Sequence, residues 1–159
     1  MKQNIIEVVL NSKKDYISQF HDKKISKELS DYILNESKAF KPNEKLEIHV
    51  FSNNMSVKEQ HEFIDMIREN YGIDIRELCI LSEKKNVSNL LCLLFGILAL
   101  FLNLLVDIIP SFSEFILILG WVLIWEGIYN ILFDGLKTRI MIRRLKNLTS
   151  CKIKFIEKK

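Results

Sequence analysis

The sequence predicts a membrane protein: an antiparallel transmembrane helical hairpin carrying a small cytoplasmic α/β domain built from both ends of the chain. Three observations predict it. Residues 87–136 form two long apolar runs with only four charged side chains, Asp107, Glu114, Glu126 and Asp134. The segments on either side alternate between strand-like and helix-like apolar periods. The charge is also unevenly placed: nine Lys and Arg stand against Glu157 alone in residues 137–159, whereas fourteen stand against fifteen Asp and Glu in residues 1–86.

The α/β part comes first, over residues 1–86. NIIEVVL holds a short strand over residues 4–9. ISKELSDYILNESKAF fits a helix, because Ile25, Leu29, Tyr32 and Ile33 recur on one face of a 3.6-residue period, and Lys41-Pro42-Asn43 closes it. In LEIHVF, residues 46–51, Leu46, Ile48 and Val50 alternate with Glu47, His49 and Phe51, as in a half-buried strand. Ser56 then opens SVKE, with Glu59 placed to close a capping box. The helix beginning there puts Phe63, Met66 and Ile67 on one side, and Gly72 is expected to interrupt it. IDIRELCILSEKK suits a further helix better than a strand. The pattern is β-α-β-α. The tail KIKFIE, residues 152–157, puts Ile153, Phe155 and Glu157 on one face and Lys152, Lys154 and Ile156 on the other, a mixed alternation, and is expected to rejoin the same sheet as a last strand.

The two apolar runs, residues 87–109 and 114–136, each exceed the ~20 residues that a helix needs to cross the hydrocarbon core. The remaining chain is too small and polar to bury two helices that are apolar all round. Residues 110–113, Pro110-Ser111-Phe112-Ser113, are expected to form the tight external turn. Proline cannot comfortably continue the first helix, and Ser113 with Glu114 suits a helix start.

Basic residues set the orientation. Lys84 and Lys85 precede the first span, and Lys137, Arg139, Arg143, Arg144 and Lys146 come after the second, while residues 110–113 carry none. The positive-inside rule puts both termini in the cytoplasm. The basic stretch 137–159 then reads as a juxtamembrane helix and strand, its cations placed for anionic headgroups on the cytoplasmic side. No recognition motif or aromatic platform accompanies the charge, so a nucleic-acid partner is not expected. The N-terminal residues lack the long apolar region of a signal peptide.

The spans themselves carry polar groups. Glu126, Asn130 and Asp134 are spaced by four and form one stripe on the second helix; Asn103 and Asp107 do the same on the first. A charged side chain at a helix centre costs about 2.5–3.5 kcal/mol on insertion scales, so Glu126 calls for a reason. Folding the hairpin about residues 111 and 112 brings Glu126 near Gly96, where a glycine lets helices approach. Three roles are open to Glu126: hydrogen-bonding glue within the hairpin or an oligomer, the lining of a wet pathway in an oligomer, or snorkelling or thinning of the bilayer without function. Gly120, Trp121 and Trp125 read as packing residues, the two tryptophans lying deeper than the interface.

Chemistry-bearing patterns are missing. The three cysteines, Cys79, Cys92 and Cys151, show no metal spacing; His61 and Asp65 stand i, i+4 on a helix, a weak zinc signal that a solvated face explains better; and no phosphate loop, nucleophile elbow or catalytic triad spacing is present. No enzyme activity, metal or cofactor is expected. The stretch GWVLIWEGIYNILFDGLKTRIMIRRLKNLTSCKIKF resembles a widespread family of uncharacterised bacterial two-helix membrane proteins, whose second span reads G-W-V-x-x-W, then a polar residue, an aromatic-acid pair and a basic stretch ending in a strand. Gly120, Trp121, Val122, Trp125, Phe133 and Asp134 carry that resemblance, and FHDKKISKELSDYILNESKAFKPNEKLEIHV is similar to the family's N-terminal part. The resemblance implies a small multi-pass protein of the bacterial inner membrane with a cytoplasmic α/β part. It implies no activity, and in some members the residue after the second tryptophan is basic. The expected role is a non-enzymatic, membrane-anchored interaction or sensing module that self-associates and meets a protein partner. The alternative is an oligomeric pore- or channel-forming effector gated by its cytoplasmic domain.

Overall fold

The computed structural model describes residues 4–53, 55–105 and 110–157. Period-two segments become β1 (Asn4–Leu10), β4 (Leu46–Ser52) and β5 (Lys152–Glu157), which form a sheet in the order β1-β4-β5 with both pairings parallel. The last strand of the chain does rejoin the sheet, beside β4. Registry matches the apolar alternation: Ile6, Ile48 and Ile153 lie side by side, as do Val8, Val50 and Phe155. A one-residue slip would turn each apolar set to the opposite face, so burial on one face fixes the pairing.

Helix α1 (Lys27–Ser37) starts at Ser26, whose hydroxyl accepts from the Leu29 N–H at 3.4 Å. Leu29 and Ile33 are buried as their spacing predicts. Two neighbours differ from the expected helix. Ile25 is the last residue of β3 (His21–Ile25), which pairs antiparallel with β2 (Ile17–Ser18) in a ribbon. Tyr32 is exposed, and its hydroxyl donates to the Glu7 carbonyl at 3.0 Å, occupying an acceptor on edge strand β1. The ribbon has no signature in the sequence because FHDKKI is polar and short, without an apolar alternation.

The capping box forms at Ser56, where Glu59 accepts from the Ser56 N–H at 3.0 Å and Ser56 Oγ accepts from the Glu59 N–H at 3.3 Å. It opens α2 (Val57–Leu105), which runs unbroken through Gly72, contrary to expectation. A helical glycine costs roughly 0.5–1 kcal/mol relative to alanine. Burying neighbouring Ile67 and Tyr71, both fully enclosed, outweighs that. The segment over residues 73–85 is helical, as expected.

Pro110 also differs. Residues 110–113 are the first turn of α3 (Pro110–Tyr129) rather than the loop between helices. Proline suits a first helical turn, because its missing N–H would have had no intrahelical acceptor there. The connection falls on residues 106–109, outside the described residues, together with Asp107. After α3 comes a π-helical turn (Asn130–Asp134) and then α4 (Gly135–Ser150).

The chain divides into two compact units: Met1–Glu77 with Ile140–Lys159, and Leu78–Arg139. In the first, Phe63, Met66, Ile67 and Tyr71 of α2 and Leu145 and Leu148 of α4 are buried along with the inward strand residues. Phe63 stacks edge-on against Tyr16 (centroids 5.3 Å apart) and Phe155 (5.9 Å). Tyr71 donates to the Ser30 carbonyl at 2.9 Å, and its burial raises its hydroxyl pKa. Arg144 donates to the carbonyls of Ser37 and Phe40, and Asn147 to those of Pro42 and Glu44, which ties α4 to the end of α1 and the connection to β4. Cys151 is buried, and desolvation pushes its thiol up to about 11.

Two helices are long and apolar enough to cross a membrane, Val57–Leu104 and Ser113–Ser150. The most apolar windows of the two are only 6% and 11% buried. A core helix of a soluble protein would be mostly enclosed, and these two windows are not.

Candidate functional site

The hairpin is built on glycines. A Cβ placed on Gly96 would lie 2.7 Å from Ile124 Cγ1 and 2.9 Å from the Gly120 carbonyl oxygen. One on Gly120 would lie 2.8 Å from Leu100, and one on Gly127 2.7 Å from Leu93 and 3.1 Å from the Asn89 carbonyl. All three therefore allow a backbone approach that any side chain would block. Gly96 thus meets Gly120 and Ile124, not Glu126. The reason is where the second helix starts: α3 begins at Pro110, earlier than a turn at residues 110–113 would allow, which shifts the register between the helices. Gly127 belongs to the same set; its spacing of seven from Gly120 was the available signal.

Glu126 lies on another side of α3. It is exposed and helps line an open groove of about 690 Å³ with Trp121, Val122, Trp125, Tyr129 and Asn130. Neither the Glu126 carboxyl nor the Asn130 amide has a hydrogen-bond partner among the described residues. Trp125, at 71%, is more exposed than Glu126's other aromatic neighbours.

Asp134 leaves the predicted stripe. The π-helical turn spans Asn130–Asp134 and adds a residue to one turn, which rotates the later residues relative to a regular α-helix. Asp134 Oδ2 comes 3.8 Å from Lys85 Nζ on α2. Its carbonyl accepts from the Thr138 hydroxyl at 3.0 Å. Asn103 also finds an internal partner, accepting from the Ser113 hydroxyl at 2.7 Å. Of the four polar candidates on the apolar helices, Asn103 and Asp134 therefore link the two helices, whereas Glu126 and Asn130 stand open.

The five basic candidates separate in the same way. Lys137, Arg139, Arg143 and Lys146 are exposed, so their charges are accessible. Arg144 is half-buried and committed to the Ser37 and Phe40 carbonyls.

The sheet offers a second surface. On the face turned away from the core, Glu7, His49 and Lys154 form one row across the three strands, and Val9, Phe51 and Ile156 form the next. Lys154 Nζ lies 2.6 Å from Glu47 Oε2 and holds that carboxyl below the usual range. His49 Nε2 is 3.5 Å from the same oxygen but makes no hydrogen bond. Val9 is 53% exposed. Parallel sheets are ordinarily covered on both faces, so this arrangement is incomplete as a parallel sheet in isolation.

No metal-binding cluster of His, Cys, Asp and Glu occurs among the described residues. Comparison of the chain with protein-family models, curated proteins and solved structures gives no match.

Proposed function

We propose that the chain is a non-enzymatic, membrane-anchored interaction module, with its two apolar helices crossing the bilayer antiparallel and its α/β unit presenting the open sheet face to a protein partner. In this reading both termini are cytoplasmic, the membrane is a bacterial inner membrane, and Lys137, Arg139, Arg143 and Lys146 contact anionic headgroups. The observation that carries it is the open face of the parallel sheet, where the apolar row Val9–Phe51–Ile156 adjoins the polar row Glu7–His49–Lys154. Two exposed apolar helices supply the anchor.

Lysine acylation checks the reading. Lys152 and Lys154 lie on the open face, whereas Lys23 and Lys24 lie on the exposed ribbon strand β3. In native membranes, Lys152 and Lys154 are expected to react several-fold more slowly, relative to Lys23 and Lys24, than in the purified protein. Equal ratios in the two preparations would show that nothing covers the sheet.

A further inference from the structure

The glycine face of α3 is occupied by α2, which leaves the opposite side to explain. Phe115, Ile118, Val122, Trp125 and Tyr129 succeed one another at alternating intervals of three and four residues along α3, and each is about half exposed or more. That is the a/d repeat of a coiled-coil seam. With Val122 and Tyr129 at a and Trp125 at d, Trp121 falls at g and Glu126 at e. In a parallel pair, the g residue of one helix meets the e residue five positions further along the other. Trp121 and Glu126 are five apart. Their chemistry is complementary, since the indole N–H only donates and a carboxyl accepts. Neither has a partner among the described residues, and hydrocarbon supplies none.

We propose that two copies of the chain pair in parallel along this face of α3, the Trp121 indole of each copy donating to the Glu126 carboxyl of the other. This rests on the membrane-spanning reading. Copies that insert in the same direction can only pair parallel, and a face carrying both the donor and the acceptor is self-complementary. Such an isologous contact closes at two copies. It also assigns Glu126 the role of a contact between copies, not of a residue lining a ring.

The test uses the full chain in native membranes, with a benzophenone amino acid placed singly at Phe115, Tyr129 or Phe101. The first two keep an aromatic ring in the seam; Phe101 is comparably exposed but lies on α2. Irradiation is expected to give an adduct of twice the chain's 18.7 kDa from positions 115 and 129, and none from 101. Glu126→Leu and Trp121→Phe are each expected to lower that yield about tenfold, while Glu126→Gln, whose amide oxygen still accepts, keeps most of it. A ladder of larger adducts, an adduct of another mass, lipid adducts alone, equal yield from position 101, or indifference to Trp121→Phe would each overturn the pairing. Extraction of the chain by alkaline carbonate would overturn the membrane reading with it; a chain that resists carbonate and gives no dimer overturns the pairing alone.

Discussion

Gly96→Leu is expected to break the packing of the hairpin. The new Cβ would sit 2.7 Å from Ile124 Cγ1 and 2.9 Å from the Gly120 carbonyl. The isoleucine can rotate, but the carbonyl belongs to the α3 backbone and moves only with the helix. Overpacking of this kind costs typically about 1–3 kcal/mol, and a backbone obstacle puts this case at the upper end. Gly72→Ala is the matched control. Its Cβ would meet nothing within 4 Å, and α2 is helical there, so it is expected to stabilise by roughly 0.5–1 kcal/mol. Titrating the purified protein from mild detergent into SDS, while monitoring the fluorescence of Trp121 and Trp125, reads the first effect. The Gly96→Leu midpoint should fall clearly below that of the parent. An unchanged midpoint would mean that the helices do not meet at Gly96.

Phe63→Ala carries the second large effect, in the other unit. Phe63 is fully buried, with Tyr16 against one edge and Phe155 against another. Truncating such a ring costs about 3–5 kcal/mol, from lost burial and the cavity left behind. Small domains have only about 5–15 kcal/mol of stability in total. Strand β5 should suffer first, because Phe155 loses its ring neighbour and β5, among the described residues, is an edge of the sheet beside β4. Amide exchange over Lys152–Glu157 is expected to accelerate by two orders of magnitude or more, while the Trp121 and Trp125 signal in the SDS titration stays put. Equal protection of β5 in both proteins would remove Phe63 from the centre of the core.

The elements legible in the sequence were those with a regular apolar period. Leu46, Ile48 and Val50 announce β4, Ile153 and Phe155 announce β5, and Phe63, Met66 and Ile67 mark the buried face of α2, because each repeat matches a burial that the fold then makes. The ribbon His21–Ile25 was not legible, since only Ile25 of its five residues is buried. Gly72 and Pro110 misled for a shared reason. Each residue type weakens a helix in general, but Gly72 stands next to buried Tyr71, and Pro110 sits where a helix begins. Among the site residues, the four-residue spacing placed Glu126 and Asn130 together correctly. It misplaced Asp134, because the π-helical turn after Tyr129 breaks the period. Arg144 looked like its basic neighbours, and only the fold shows that it bonds Ser37 and Phe40 instead of facing solvent. The open sheet face had no sequence signal of its own, as it depends on three strands coming together from distant parts of the chain.

In the proposed reading, a double crossing of the bilayer returns the C-terminal strand to the side where β1 and β4 lie. Ser111→Cys in the full chain tests this directly, with native Cys79 as the internal reference. A membrane-impermeant maleimide applied to intact cells is expected to label position 111 and to leave Cys79 unlabelled until the membrane is permeabilised. Labelling of Cys79 in intact cells, with position 111 protected, would contradict the orientation. Protection of both positions in intact cells would contradict the double crossing.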